Sequence, residues 1–240
     1  MMRRARPKAT AQLPLDLALN PSYAREDFLV GPSNEQAFEW IELWPGWPER
    51  MLVICGPEGC GKSHLAHVWA TQASAMILPA NRLADRDPAA LNGAAALALE
   101  DCDTAPFDEA RLFHLINTVR ERGHSLLLTA RTRPDHWGLT TPDLLSRLRL
   151  APLVEIAAPD DALLRALMVK QFLDRQLVID TSVVEYLLPR IERSFAGVAH
   201  AVATLDREAL ALGRRITRPI AAQILDRQDE QSGQTAGREP

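Results

Sequence analysis

A chain of 240 residues is long enough to bury the core of one α/β domain with a smaller domain attached. With 47% hydrophobic and 24% charged residues and a formal net charge of −4, it has the composition of a soluble globular protein, and it argues against a surface given over to nucleic acid. The longest apolar runs, AAALAL at 94–99 and SLLLTA at 125–130, fall far short of the ~20 residues that span a bilayer, and no apolar signal block follows the basic start, so the chain reads as cytoplasmic with no membrane partner.

Residues 1–10 carry four positive charges and no acid and read as a flexible leader. Alternating leucines follow in AQLPLDLALNPSY, which fits either a first strand or an extended peptide displayed ahead of the fold; Pro14 disfavours a central strand. EQAFEWIELW (35–44) places Ala37, Phe38, Ile41 and Trp44 on one helical face, and WPGWPER ends that helix. MLVIC (51–55), SAMIL (74–78), AAALAL (94–99), SLLLT (125–129) and LVEI (153–156) are short and uniformly apolar, as strands of a parallel sheet covered on both faces are. FDEARLFHLINTVRERG sets Leu112, Leu115, Ile116 and Val119 on one stripe before a glycine stop. After Pro159 the strands cease. DDALLRALMVKQFLDRQ, TSVVEYLLPRIE, SFAGVAHAVATLDREALALG and RPIAAQILDRQ are amphipathic helices, which predicts an α/β domain over 23–158, a small helical domain over 159–228 and a disordered tail over 229–240. Cys55, Cys60 and Cys102 have no metal or redox spacing and read as structural or incidental thiols.

The chemistry centres on GPEGCGKS, Gly56 to Ser63, which satisfies G-x-x-x-x-G-K-[ST] between an expected strand and an expected helix. The loop Pro57, Glu58, Gly59, Cys60 and Gly61 curls its N–H groups toward phosphate, Lys62 serves the β/γ-phosphates and the Ser63 hydroxyl serves Mg²⁺. Such a loop needs an acidic partner at another strand end, and ALALEDCD supplies Glu100 and Asp101. The usual order is Asp then Glu. The reversed order displaces both carboxylates by about a bond length, and catalytic geometry is unforgiving at ~1 Å, so the sequence predicts nucleotide binding with weak or conditional hydrolysis. Thr129, at the end of the fourth strand, is either a polar sensor of γ-phosphate or an ordinary strand-end threonine.

With these elements in order, residues 12–228 resemble the initiator branch of the AAA+ ATPases, and within it the regulatory inactivators of DnaA (the Hda/HdaA family). The resemblance is carried by NPSYAREDFLVGPSNEQAF, GKSHLAHVW, TARTRPDHW and TPDLLSRLRLAPLVEI. It implies an AAA+ P-loop fold with a helical lid, ATP or ADP with Mg²⁺ as ligands, and adenine lying against Phe28, Val30 and the His64 end of the loop. It implies that Arg147, in LLSRL, is an arginine finger acting on a neighbouring subunit, with Arg149 close by as a rival. The family's lid arginine aligns with Ala196, and Arg193 lies one turn earlier. QLPLDL resembles the family's peptide for the DNA polymerase III sliding clamp (beta subunit), with Gln12, Leu13, Leu15 and Leu17 as contacts.

The resemblance thus implies a negative regulator of replication initiation that binds the clamp and drives hydrolysis of the ATP held by DnaA, with little turnover of its own. The initiator's DNA-reading domain has no counterpart before residue 240, so no sequence-specific DNA binding is expected. The alternative is a helicase loader of the same branch, and self-association of the chain is left open.

Overall fold

A computed structural model describes residues 23–85, 94–104 and 108–236. Gln12, Leu13, Leu15 and Leu17 therefore lie outside the described residues. The chain order is α1 (Glu35–Glu42), β1 (Met51–Cys55), α2 (Lys62–Ala73), β2 (Met76–Pro79), β3 (Ala96–Glu100), α3 (Glu109–Arg122), β4 (Ser125–Ala130), α4 (Pro142–Leu148), β5 (Leu153–Glu155), and then α5 (Asp161–Asp174), α6 (Thr181–Leu187), α7 (Phe195–Leu212) and α8 (Arg218–Ala236).

The strands form a parallel sheet in the order β2-β3-β4-β1-β5. All five expected strands are present. The pleat sends alternate residues to opposite faces: Leu126 and Leu128 pack with Leu112, Ile116, Leu144 and Leu148 under α3 and α4. Leu127 packs with Ile41, Leu65 and Trp69 under α1 and α2. Continuous apolar runs are what such two-sided burial requires. β2 starts two residues later than SAMIL suggests, because Ser74 adopts a left-handed φ of 49° that closes α2. It is also an edge strand, with Met76 exposed at 36%.

The four C-terminal helices pack around Leu164, Phe172, Val184, Val198 and Leu205 as a separate core. Two of them start at an aspartate whose side chain accepts an early N–H of its own helix, Asp160 from Leu163 and Asp180 from Ser182. The expected disordered tail is corrected in part: α8 continues to Ala236. Its sequence is rich in Glu, Gln, Arg and Ala, which favour a helix, and no proline follows Pro219 within it. Among the described residues no helix is long and apolar enough to cross a membrane. Cys55, Cys60 and Cys102 are all buried free thiols, and burial pushes the Cys55 thiol up to about 11, which suits the structural role expected of them.

Candidate nucleotide site

Because β4 lies between β1 and β3, the carboxyl ends of these three strands bring together the phosphate loop, the acidic turn and the segment after Thr129. In open α/β sheets this edge is where ligands bind. The loop leaves β1, and its glycines Gly59 and Gly61 have φ of +70° and +103°, which L side chains rarely adopt. Lys62 is only 7% exposed. Its ammonium donates to the carbonyls of Gly56 and Pro57 at 2.7 and 2.8 Å, and no carboxylate pairs with it among the described residues. Ser63 is exposed on the first turn of α2, and Cys60 is buried beneath the loop. Glu58 reaches out to Arg131 at 2.9 Å.

At the end of β3 the two carboxylates part company. Glu100 turns inward, with one oxygen buried and unpartnered. Asp101 is exposed and in the left-handed region at φ 58°. Its N–H donates to the Thr129 hydroxyl at 3.3 Å. Thr129 is 1% exposed, and its carbonyl accepts the Cys102 N–H at 2.9 Å, so the threonine fastens the acidic turn to β4.

Sequence reasoning missed Asp103. One carboxylate oxygen accepts from the N–H groups of Arg131 and Thr132 and from the Thr132 hydroxyl, at 2.8–2.9 Å. Burial works against ionisation of this carboxyl, but these hydrogen bonds outweigh it and hold its pKa below the ordinary range. Asp103 thereby ties the β3 turn to the β4 turn, and Arg131 carries the tie on to Glu58 of the phosphate loop. The signal was a third acid in EDCD opposite a threonine in TART.

The strap before α1 covers the other end of the loop. His64 Nε2 lies 2.9 Å from the Ala24 carbonyl. Phe28, 6% exposed, meets the His64 ring edge-on at 5.2 Å and stacks on Phe38 at 5.7 Å. Val30 is 46% exposed beside it. From the lid, Lys170 bridges to Asp27 at 2.6 Å.

Arg147, the expected finger, and its rival Arg149 differ in setting. Arg149 is spent on an ion pair with Asp135. Arg147 lies over the Phe113 ring, 4.7 Å from its centroid, with no acidic partner among the described residues. Helix α3 presents it twice over. Phe113 supports the guanidinium, and Glu109 accepts the N–H groups of Thr140 and Thr141, which lead into α4. In the lid, Arg193 is held by Asp161 at 2.6 Å, and Ala196 is exposed. Arg193 is thus occupied within the lid.

Residues 160–225 match the family model for the lid domain of Hda. The match covers the helical lid. Solved structures agree on the fold. Domain III of the Thermotoga maritima replication initiation protein DnaA is 19% identical with a TM-score of 0.77, the match covering 87% of this chain and 97% of that one. AMPPCP-bound DnaA from Aquifex aeolicus is 20% identical with a TM-score of 0.68, over 80% and 67% of the two chains. The Thermotoga maritima RuvB Holliday junction branch migration motor is 14% identical with a TM-score of 0.64, over 85% and 72%. The chain thus has the fold of DnaA domain III and carries a lid that matches the Hda lid model.

Proposed function

We propose that this protein binds ADP or ATP with Mg²⁺ and acts as a clamp-linked inactivator of DnaA. Nucleotide binding is supported by Lys62: among the described residues its buried ammonium meets the Gly56 and Pro57 carbonyls and the Cys60 sulfur but no anion, so its charge lacks the counter-ion that a phosphate would supply. The donor set also fits a magnesium ion. Glu100 offers a buried, unpartnered carboxylate oxygen, and Ser63, Glu100 and the exposed Asp101 would hold the ion, which offsets charge on the phosphate oxygens. With Asp101 turned outward and its N–H committed to Thr129, the chain's own water-activating group is poorly placed, which fits weak turnover.

The observation that carries the regulatory reading is the contrast between Arg149, paired, and Arg147, presented on α4 without a carboxylate partner among the described residues. A finger offered to a neighbour must be fixed in direction yet not neutralised, and stacking on Phe113 does both. Combined with the Hda lid, this favours action in trans on an initiator over helicase loading. Gln12, Leu13, Leu15 and Leu17 would supply the clamp contact and raise the local concentration of the AAA+ domain at the clamp. The deciding assay is turnover of DnaA-bound ATP with and without this protein and DNA-loaded clamp. Stimulation that needs both components supports the reading, and none with either refutes it.

A further inference from the structure

The lid is seated on the phosphate loop through the first turn of α7, and the seat is uncharged. The Phe195 N–H donates to the Gly59 carbonyl at 2.9 Å. The Phe195 ring lies against Gly61 so closely that a Cβ there would come within 2.7 Å of Cε2, with Phe28 Cε2 at 3.4 Å. Ser194 is 2% exposed and crowds Gly59 in the same way, its Cβ 2.6 Å from where a side chain would begin. The ring also packs against the lid core, so it joins that core to the loop.

No charge at this seat is available to count phosphates. The Ser194 hydroxyl accepts the Gly197 N–H at 2.9 Å, so two donors at the positive end of α7 are already used on protein acceptors. Arg193 is held by Asp161, and Phe195–Val198 contains no basic residue.

We infer that Phe195 is the latch of the lid, gripping the phosphate loop so that bound adenine nucleotide is retained equally as the di- or the triphosphate. The inference rests on the nucleotide-binding reading above. A lid arginine draws its grip from phosphate charge and favours the triphosphate. A ring against a glycine and an N–H on a carbonyl have no such differential, and a ligand shifts an equilibrium only by its differential affinity for the two states.

The test is release of fluorescent ADP and fluorescent AMPPCP from the full-length chain, followed by stopped flow. Wild type is expected to release the two at rates within about threefold of each other. Phe195→Ala should release both faster by about tenfold or more, Phe195→Tyr should behave as wild type, and Arg193→Ala should change neither. Hydrogen exchange without nucleotide reads the latch directly. In Phe195→Ala the amides of 59–61 and 195–198 should lose protection while β1 and β4 keep theirs; should the alanine variant unfold, Phe195→Leu carries the same measurement. Unchanged release and unchanged exchange, or a wild type that holds the triphosphate more than about tenfold longer, overturn the latch. A wild type that binds neither ADP nor AMPPCP would instead sink the nucleotide reading, leaving exchange to judge the latch.

Discussion

Replacing Arg147 by alanine separates its proposed role as a finger from its part in the fold. A trans-acting arginine that stabilises the charge on a transferring phosphoryl group is worth about 10³–10⁵ in rate, or about 4–7 kcal/mol of barrier. What the residue contributes to its own fold is far smaller. The guanidinium sits 4.7 Å from the Phe113 centroid and has no acidic partner among the described residues, and a cation–π contact near the surface contributes about 0.5–1 kcal/mol. For a chain of this length that corresponds to a fall in Tm of no more than about 4 °C. The expected outcome is therefore a folded protein that retains clamp and nucleotide but loses essentially all stimulation of DnaA-bound ATP hydrolysis. Arg149→Ala is the control, since it only opens the ion pair with Asp135 on the surface. Stimulation should fall little, through a looser end of α4. Full stimulation by Arg147→Ala, or an equal loss with Arg149→Ala, would refute the assignment.

Three further outcomes are expected. Gly59→Ala places a methyl group 2.6 Å from Ser194 Cβ at φ +70°; Ser194 Cβ cannot move without its backbone, so the lid must lift, at about 1–3 kcal/mol for overpacking and about 1–2 kcal/mol for the left-handed backbone, and a Tm equal to wild type would contradict the seat. Glu109 is held down at about 2, first by the Thr140 N–H and then by Thr141. A carboxyl whose folded pKa is depressed stabilises the fold above its unfolded pKa and loses that contribution as pH falls through the folded value, so the urea midpoint advantage of wild type over Glu109→Gln should be largest above about pH 5 and vanish toward pH 2; an advantage independent of pH would show that the carboxylate is not the anchor of the segment entering α4. Gln12→Ala with Leu13→Ala should abolish retention on the sliding clamp and leave nucleotide binding intact, and undiminished clamp pull-down would remove the peptide role.

Much of the fold was legible because its determinants are local. GPEGCGKS identifies itself by the spacing of glycines, lysine and serine that a phosphate loop needs, and α2 begins at Lys62 as that motif requires. The uniformly apolar runs announced strands buried on both faces, and the periodicity after Pro159 announced the lid helices. Boundaries failed where local signals conflict: Ser74 could open β2 or close α2, and the left-handed cap decided for the helix. The last helix runs past residue 228 because polarity alone does not end a helix.

The site divides along the same line. The sequence by itself determined which residue types stand near the strand ends: Glu100 and Thr129 lie in the last residues of β3 and β4, Asp101 follows β3, and Lys62 opens α2 after the loop that leaves β1. Only the tertiary structure decided which of them face inward, that Thr129 holds the acidic turn, and that Asp103 binds the turn after β4. It alone showed that Arg147 on α4 and Arg149 just past its end differ in setting, because the difference lies in Phe113 and Asp135. It alone set Phe195 on Gly61. Spacing along the chain records what a helix or strand does with its neighbours, whereas a contact between distant segments depends on how separate elements pack, and no periodicity encodes it.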